Sequence, residues 1–342
     1  MTRAGPLNLI TDIAGLGVGN AHDADRRTGV TVLIAERPFV AGYFSPGGAP
    51  GTRETDALKP GSLAGAVDAI VFSGGSVYGL GAADEVTSWL GARGRGYKIP
   101  ISPLGAPIVP AAILFDLANG GNKNWGEEPP YRRLAREACE NASREFSLGN
   151  AGAGFGAAAG IYKGGLGSAS ARTADGFMIG ALIAANPWGS PVIPGASTLW
   201  AHVFEQSGEL GRQRAPKLET GIDLDLPKDA RLPPAPRANT TIGMVALDAD
   251  LSVAEAERVA LMASAGIARA VRPVFTQFDG DTIFALATGA KKLPEPRAFH
   301  LNRLGSIAAD CVARALARGV FEAKTLGERR SYREAHPNGF GK

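Results

Sequence analysis

Apolar residues run along this chain in short blocks separated by glycine- and proline-rich turns, and their spacing alternates between strand-like and helical periods. Residues 8–13 and Gly29–Ile34 read as short strands, with Ala24–Thr28 as a polar turn between them and Phe39–Thr55 as a Gly/Pro-rich loop suited to lining a pocket. Val67–Phe72 is a β-rich run that enters Ser73-Gly74-Gly75-Ser76 and then a helix through Leu90. Val86, Trp89 and Leu90 share one face of that helix and Gly91 is its stop. Pro107–Leu117 is read as a strand, Pro130–Asn141 as a helix with proline at its start, and Phe177–Ala185 as a buried-type strand ending in Asn186-Pro187.

The pattern then breaks. Residues 206–238 carry charges of both signs with Pro227, Pro233, Pro234 and Pro236, the composition of a mobile linker, and a linker of that length inside a compact domain is expected to be functional or cut. Order resumes abruptly. Thr241–Leu247 is a strand. Ser252 and Glu255 form a capping box for a helix toward Ala270, and Thr282–Ala287 is a further strand. A last helix, Leu301–Arg318, has Leu304, Ile307, Ala308, Cys311, Val312 and Ala315 on one face and Gly319 as its stop; from Glu322 onward a frayed polar tail is expected.

Composition narrows the classes. With 342 residues, 45% hydrophobic and 20% charged, the chain has ample material for a globular core. A net charge of +3, with no basic run interleaved with aromatics, gives no support to nucleic-acid binding. Cys139 and Cys311 are too few and too far apart for a disulfide framework or a metal knuckle. Without a secretory signal pattern or an apolar run of about 20 residues, a cytoplasmic protein with no membrane association is expected. The glycines at 74, 75, 79 and 81 do not make a dinucleotide fingerprint, so close helix–sheet packing is the better account and no cofactor is expected. The Gly/Ala-rich stretch Asn150–Ala171 reads chiefly as low-bulk strands or tight crossings. Lys163 is the one lysine in it, either snorkelling to the surface or serving as a fixed cation.

The candidate chemistry lies where the linker ends. In Arg237-Ala238-Asn239-Thr240-Thr241-Ile242-Gly243, a cut before Thr240 would put a free α-amine, reference pKa about 7.7–8, on the residue that carries the hydroxyl; that amine suits the role of base. The plain alternative is a loop-to-strand junction, since Asn favours turns and Thr strands. Asp279 and Asp281 flank Gly280 just before a strand, so both carboxylates can meet one pocket; solvated turn acids are the alternative, and no third ligand stands at metal spacing.

As a set, and in this order along the chain, Phe72-Ser73-Gly74-Gly75-Ser76, Ala112-Ile113-Leu114-Phe115-Asp116, Gly152-Ala153-Gly154 with Lys163-Gly164-Gly165-Leu166-Gly167, Asn186-Pro187, Asn239-Thr240-Thr241-Ile242-Gly243 and Phe278-Asp279-Gly280-Asp281-Thr282 resemble the self-processing amide hydrolases of the L-aminopeptidase/D-esterase family (peptidase S58), over about residues 8–318. With Thr rather than Ser at the nucleophile position, the chain looks nearest to the nylon-oligomer (6-aminohexanoate-oligomer) endohydrolase branch. The resemblance implies an α/β fold, an αββα sandwich with mixed sheets of N-terminal-nucleophile type, self-cleaved into fragments 1–239 and 240–342 that stay together as one globular unit and assemble as a homotetramer. It implies Thr240 as nucleophile, the Asn239–Thr240 bond as the autocleavage site, Asn186 as the oxyanion stabiliser, and Asp279 and Asp281 as the pair that orients the amine.

The chain departs from that pattern twice. Phe115 stands where the nylon hydrolase has a tyrosine, and Ile161 where it has its catalytic lysine. Lys163 matches the K-G-G lysine of the aminopeptidase branch, and an offset of two along a strand would put it on the same face as Ile161. Phe115 and Tyr78 are candidate substrate-pocket residues. The expected substrate is a small-molecule or peptide linear amide, no metal is expected, and the competing readings are an acyltransferase of the ornithine acetyltransferase type and a catalytically silent scaffold.

Overall fold

The computed structural model describes residues 1–216, 221–223, 225–230 and 239–340. Its elements in chain order are β1 (Leu16–Asp23), β2 (Thr28–Phe44), β3 (Thr52–Arg53), β4 (Val67–Ser73), α1 (Ala82–Gly91), β5 (Tyr97–Lys98), β6 (Gly105–Ala106), β7 (Ala111–Ile113), α2 (Tyr131–Glu140), β8 (Ala158–Ala159), β9 (Tyr162–Lys163), β10 (Gly165–Arg172), β11 (Met178–Ala185), β12 (Ile242–Ala249), α3 (Val253–Ala270), β13 (Thr282–Lys291), α4 (Arg297–Glu322) and α5 (Tyr332–Ala335). Strands pair in the order β10-β11-β12-β13-β2-β4-β7-β3, with β1 also on β2. The pairing is mixed: β12 with β13 and β4 with β7 are parallel, and the other pairs on this path are antiparallel.

The long β2 joins two sheets. Val30–Ile34 pairs with β4, and Val40–Phe44 pairs with β13. The register shifts between Ile34 and Phe39, at exposed Glu36, Arg37 and Pro38. A proline has no N–H for a ladder and is tolerated at such a bulge.

Three apolar clusters define the layers. Leu182, Ala184, Ile242, Met244, Ala246, Phe284 and Leu286 on one sheet meet Leu33, Ile70, Phe72, Ala112 and Leu114 on the other. The alternate residues of β11, β12 and β13, among them Ile183, Val245, Leu247 and Ile283, turn the other way onto α3 and α4. Val30, Val32, Ala69 and Val71 face α1 and α2. Strands apolar on both faces are what a four-layer αββα sandwich demands of its inner sheets, and the period of two divides each strand between two cores.

Several expectations are corrected. Residues 8–13 hold a short 3-10 turn (Ile10–Asp12), and the neighbouring strand is β1. Phe39–Phe44 is strand, not loop, because β13 supplies its partner. The strand expected at 107–117 shrinks to Ala111–Ile113. Gly319 lies inside α4 rather than ending it: Gly165 and Gly167 bring β10 so close to the helix that a Cβ on Gly167 would overlap the Ala315 carbonyl oxygen. The tail beyond Glu322 is packed, with Tyr332 fully buried.

Part of the expected linker at 206–238 is packed too. Leu210 is buried, and Glu209 accepts from buried Arg314 Nη2 at 2.9 Å. Residues 217–220, 224 and 231–238, including Arg237 and Ala238, lie outside the described residues. Ser252 and Glu255 do form the reciprocal cap of α3. Among the described residues, no helix is long and apolar enough to cross a membrane.

Candidate active site

Three strand ends bring the polar candidates together. Ile242 pairs in parallel with Thr282 and antiparallel with Ala184. The residues just before β12 and β13 and just after β11 therefore lie side by side. Thr240 N–H donates to Asn186 O at 2.8 Å, and Gly280 N–H donates to Asn239 O at 3.0 Å. Asn239 and Asp279 are bridged in parallel. All four of Asn186, Thr240, Asp279 and Asp281 are buried, at 1%, 3%, 1% and 1% exposure. Thr240 Oγ1 donates to the carbonyl oxygen of Asn239, the residue whose peptide bond precedes it.

Both acids are held by donors. Asp279 accepts from Trp188 N–H at 3.1 Å, from Thr276 N–H at 3.2 Å and from Thr276 Oγ1 at 2.6 Å. Asp281 accepts from Thr241 N–H at 2.7 Å and from Phe275 N–H at 3.2 Å. These are structured acids rather than solvated turn residues. Burial, and then the neighbouring charge of Asp279, push the Asp281 carboxyl up to about 8, against the pull of its two N–H donors.

A loop from the end of β2 closes over the acids. Ala49 N–H donates to Asp279 O at 2.8 Å, Ser45 Oγ donates to Asp281 O at 3.2 Å, and Gly47 and Gly48 approach the same segment. Ser45, Ala49 and Gly280 have no chemical signal in sequence that marks them; Thr276, three residues before Asp279, does, as a side chain placed to cap that turn.

The Asn186 side chain points back into the fold. Its Nδ2 donates to Phe115 O at 3.2 Å, and its Oδ1 accepts from Ala158 N–H at 2.9 Å. Phe115 thus borders the site through its carbonyl. Tyr78 lies on a surface 3-10 turn (Ser76–Gly81), half exposed and edge-on to Trp125 at 5.6 Å.

Lys163 is not snorkelling. It is 1% exposed, and its Nζ donates to the carbonyls of Gly154 at 3.1 Å and Gly164 at 2.7 Å. It does not share a face with Ile161 either: Ile161 sits in the β8–β9 turn at 45% exposure, so the strand alternation assumed for the pair does not apply. The hairpin nevertheless touches the site, since Ala158 pairs with Lys163 and also holds Asn186 Oδ1. Burial pushes the Lys163 ammonium down to about 7, with the charge of Asp116 acting the other way. Asp116 is itself buried, accepts from Thr28 Oγ1 at 2.6 Å and Gly75 N–H at 2.8 Å, and is pushed upward by that burial.

Set beside known proteins, this arrangement has a clear place. A model of peptidase family S58 matches residues 8–333. The chain belongs to that family.

Membership of family S58 makes it a hydrolase acting on amide bonds. An uncharacterised aminopeptidase of Mycobacterium tuberculosis is 38% identical, over 98% of this chain and 100% of its own length. A 6-aminohexanoate-oligomer endohydrolase of Kocuria sp. is 30% identical, over 86% of this chain and 78% of its own. In fold, the chain is similar to a beta-aminopeptidase of Burkholderia sp., with TM-score 0.70, 22% identity and coverage of 100% and 97% of the two chains. It is also similar to an L-aminopeptidase D-Ala-esterase/amidase of Ochrobactrum anthropi, described as a variant of the Ntn hydrolase fold, with TM-score 0.67, 21% identity and coverage of 95% and 88%. The expected αββα architecture agrees with these neighbours.

Proposed function

We propose that this S58 hydrolase cuts its own chain between Asn239 and Thr240 and that Thr240, as a new N-terminus, is the nucleophile for linear amides. The observation that carries this is the Thr240 hydroxyl hydrogen-bonded to the carbonyl of the peptide bond before it, at the meeting of three strand ends. In the cut form, fragments 1–239 and 240–342 remain one folded unit, because β12 stays paired with β11 and β13 with β2.

The freed α-amine takes the hydroxyl proton as Oγ1 attacks the substrate carbonyl. An acyl-enzyme forms on Thr240, the leaving amine departs with a proton, and water resolves the ester. Asp279 and Asp281 orient the amine, and the carboxylate charge carried by the pair favours its ammonium form. Asn186 stabilises the oxyanion once its Nδ2 turns from the Phe115 carbonyl toward the substrate. Lys163, whose ammonium form burial disfavours, tunes the site through the hairpin that holds Asn186. Relatives named as aminopeptidases and as a 6-aminohexanoate-oligomer endohydrolase support a linear-amide substrate.

The test is a denaturing gel of the purified protein with N-terminal sequencing of the smaller band. Thr240 is the expected first residue. Thr240→Ala is expected to stay whole and inactive, and Thr240→Ser to retain part of both activities. A smaller band that begins elsewhere, or amide hydrolysis by Thr240→Ala, would refute the assignment.

A further inference from the structure

Cleavage of the chain needs something that turnover does not: a donor that stabilises negative charge on the carbonyl oxygen of Asn239 itself. Among the described residues, two groups donate to that oxygen. One is the Thr240 hydroxyl, which is consumed as the nucleophile, and the other is the main-chain N–H of Gly280 at 3.0 Å. Building on the Thr240 reading above, we propose that the Gly280 N–H is the oxyanion donor for self-cleavage, a role separate from that of Asn186 in turnover.

Several features place this N–H for the task. The bond is a rung of the parallel β12–β13 ladder carried past the strand ends, followed by Thr282 N–H to Thr241 O at 3.1 Å, so its direction is set by two buried strands. The flanking carboxylates each hold their own N–H donors, which fixes the peptide units on either side of Gly280. The Asn239 carboxamide takes no part: it is fully buried, and among the described residues neither its Nδ2 nor its Oδ1 has a hydrogen-bond partner. Apart from the Thr240 hydroxyl, the donor to this carbonyl among the described residues is therefore main chain.

The residue must also be glycine. A Cβ at position 280 would lie 2.7 Å from Thr240 Oγ1 and 2.6 Å from Ala49 O, in the space the nucleophile occupies. The leaving nitrogen is positioned as well, since Thr240 N–H donates to Asn186 O at 2.8 Å.

The step balances within the chain and one water. Thr240 Oγ1 forms a bond to the Asn239 carbonyl carbon while the oxygen, now carrying negative charge, stays on the Gly280 N–H. The hydroxyl proton passes to the Thr240 nitrogen, the C–N bond breaks, and the charge collapses to an ester. Water then adds to that ester, its OH going to the Asn239 carbonyl carbon and its remaining hydrogen to Thr240 Oγ1. The products are a carboxyl terminus on Asn239 and a free amine and hydroxyl on Thr240.

The test removes one hydrogen. Full-length protein is made with glycolic acid at position 280, so that an ester replaces the Asp279–Gly280 amide, and the appearance of the smaller fragment is followed in time. Loss of an oxyanion donor typically slows a reaction by about 10²–10³-fold, and at least hundredfold slower cleavage is expected. Cleavage at the parent rate overturns the inference but leaves Thr240 as nucleophile, because the fragment still begins there. A parent protein that is never cut at Thr240 refutes the reading beneath it instead. A second measurement does not depend on the ester protein folding: in Thr240→Ala, the Gly280 amide is expected to exchange with deuterium at least tenfold more slowly than in the cut parent. Equal exchange in the two forms overturns the proposal.

Discussion

Replacing Asp281 by Asn in the uncut Thr240→Ala chain isolates the electrostatics of the acid pair from catalysis. Asp281 is 1% exposed, beside the charge of Asp279, and its carboxyl is pushed up to about 8. An unfolded aspartate titrates at about 3.9. Between those values the unfolded chain has released its proton and the folded chain has not, so this group's contribution to stability is complete below pH 4 and is lost as pH rises toward 8. The slope is about 1.4 kcal/mol per pH unit, fixed by linkage for a single proton. Asparagine has no proton to release, so this slope disappears in the variant.

Asparagine has a cost of its own. The two oxygens of Asp281 accept from Thr241 N–H and Phe275 N–H, and an amide must turn Nδ2 toward one of those donors. One lost buried hydrogen bond costs about 1–3 kcal/mol. Thr240→Ala is therefore expected to be the more stable chain at pH 4. Its advantage then shrinks by about 1.4 kcal/mol per pH unit and reverses before pH 8. Urea unfolding of both chains at pH 4, 5, 6, 7 and 8, at equal protein concentration, measures this directly. A constant offset across that range would refute the claim that Asp281 keeps its proton in the folded chain.

Two further outcomes follow from the site and its scaffold. Lys163→Met is expected to lower amide turnover more than tenfold, about 1.4 kcal/mol of barrier, while thermal unfolding shows the fold retained; activity within twofold of the parent would make Lys163 a packing residue only. Gly167→Ala places a methyl group on the Ala315 carbonyl of α4 and is expected to cost about 1–3 kcal/mol, read as a fall in unfolding temperature, whereas an unchanged temperature would mean that α4 can shift away from β10.

Local features of this chain were legible before any fold was known. The Ser252–Glu255 cap, the apolar face of α4 from Leu304 to Ala315 and the runs Val67–Phe72 and Phe177–Ala185 depend on neighbours a few residues away, and they stand where their spacing put them. Asn186, Thr240, Asp279 and Asp281 were singled out together by the family resemblance of their motifs, since each segment read alone also fits a turn or a strand junction. Their union at one point depends on β11, β12 and β13 lying side by side. Non-local contacts decided the rest. Phe39–Phe44 became strand because β13 pairs with it, Gly319 continued a helix because β10 needed the space, and the polar tail was ordered because Tyr332 found a core. Gly280 carries no side chain whose chemistry could be read at all. Its N–H meets the Asn239 carbonyl only because two parallel strands fix the register between residues far apart in sequence, and a register is a property of pairing that no single segment contains.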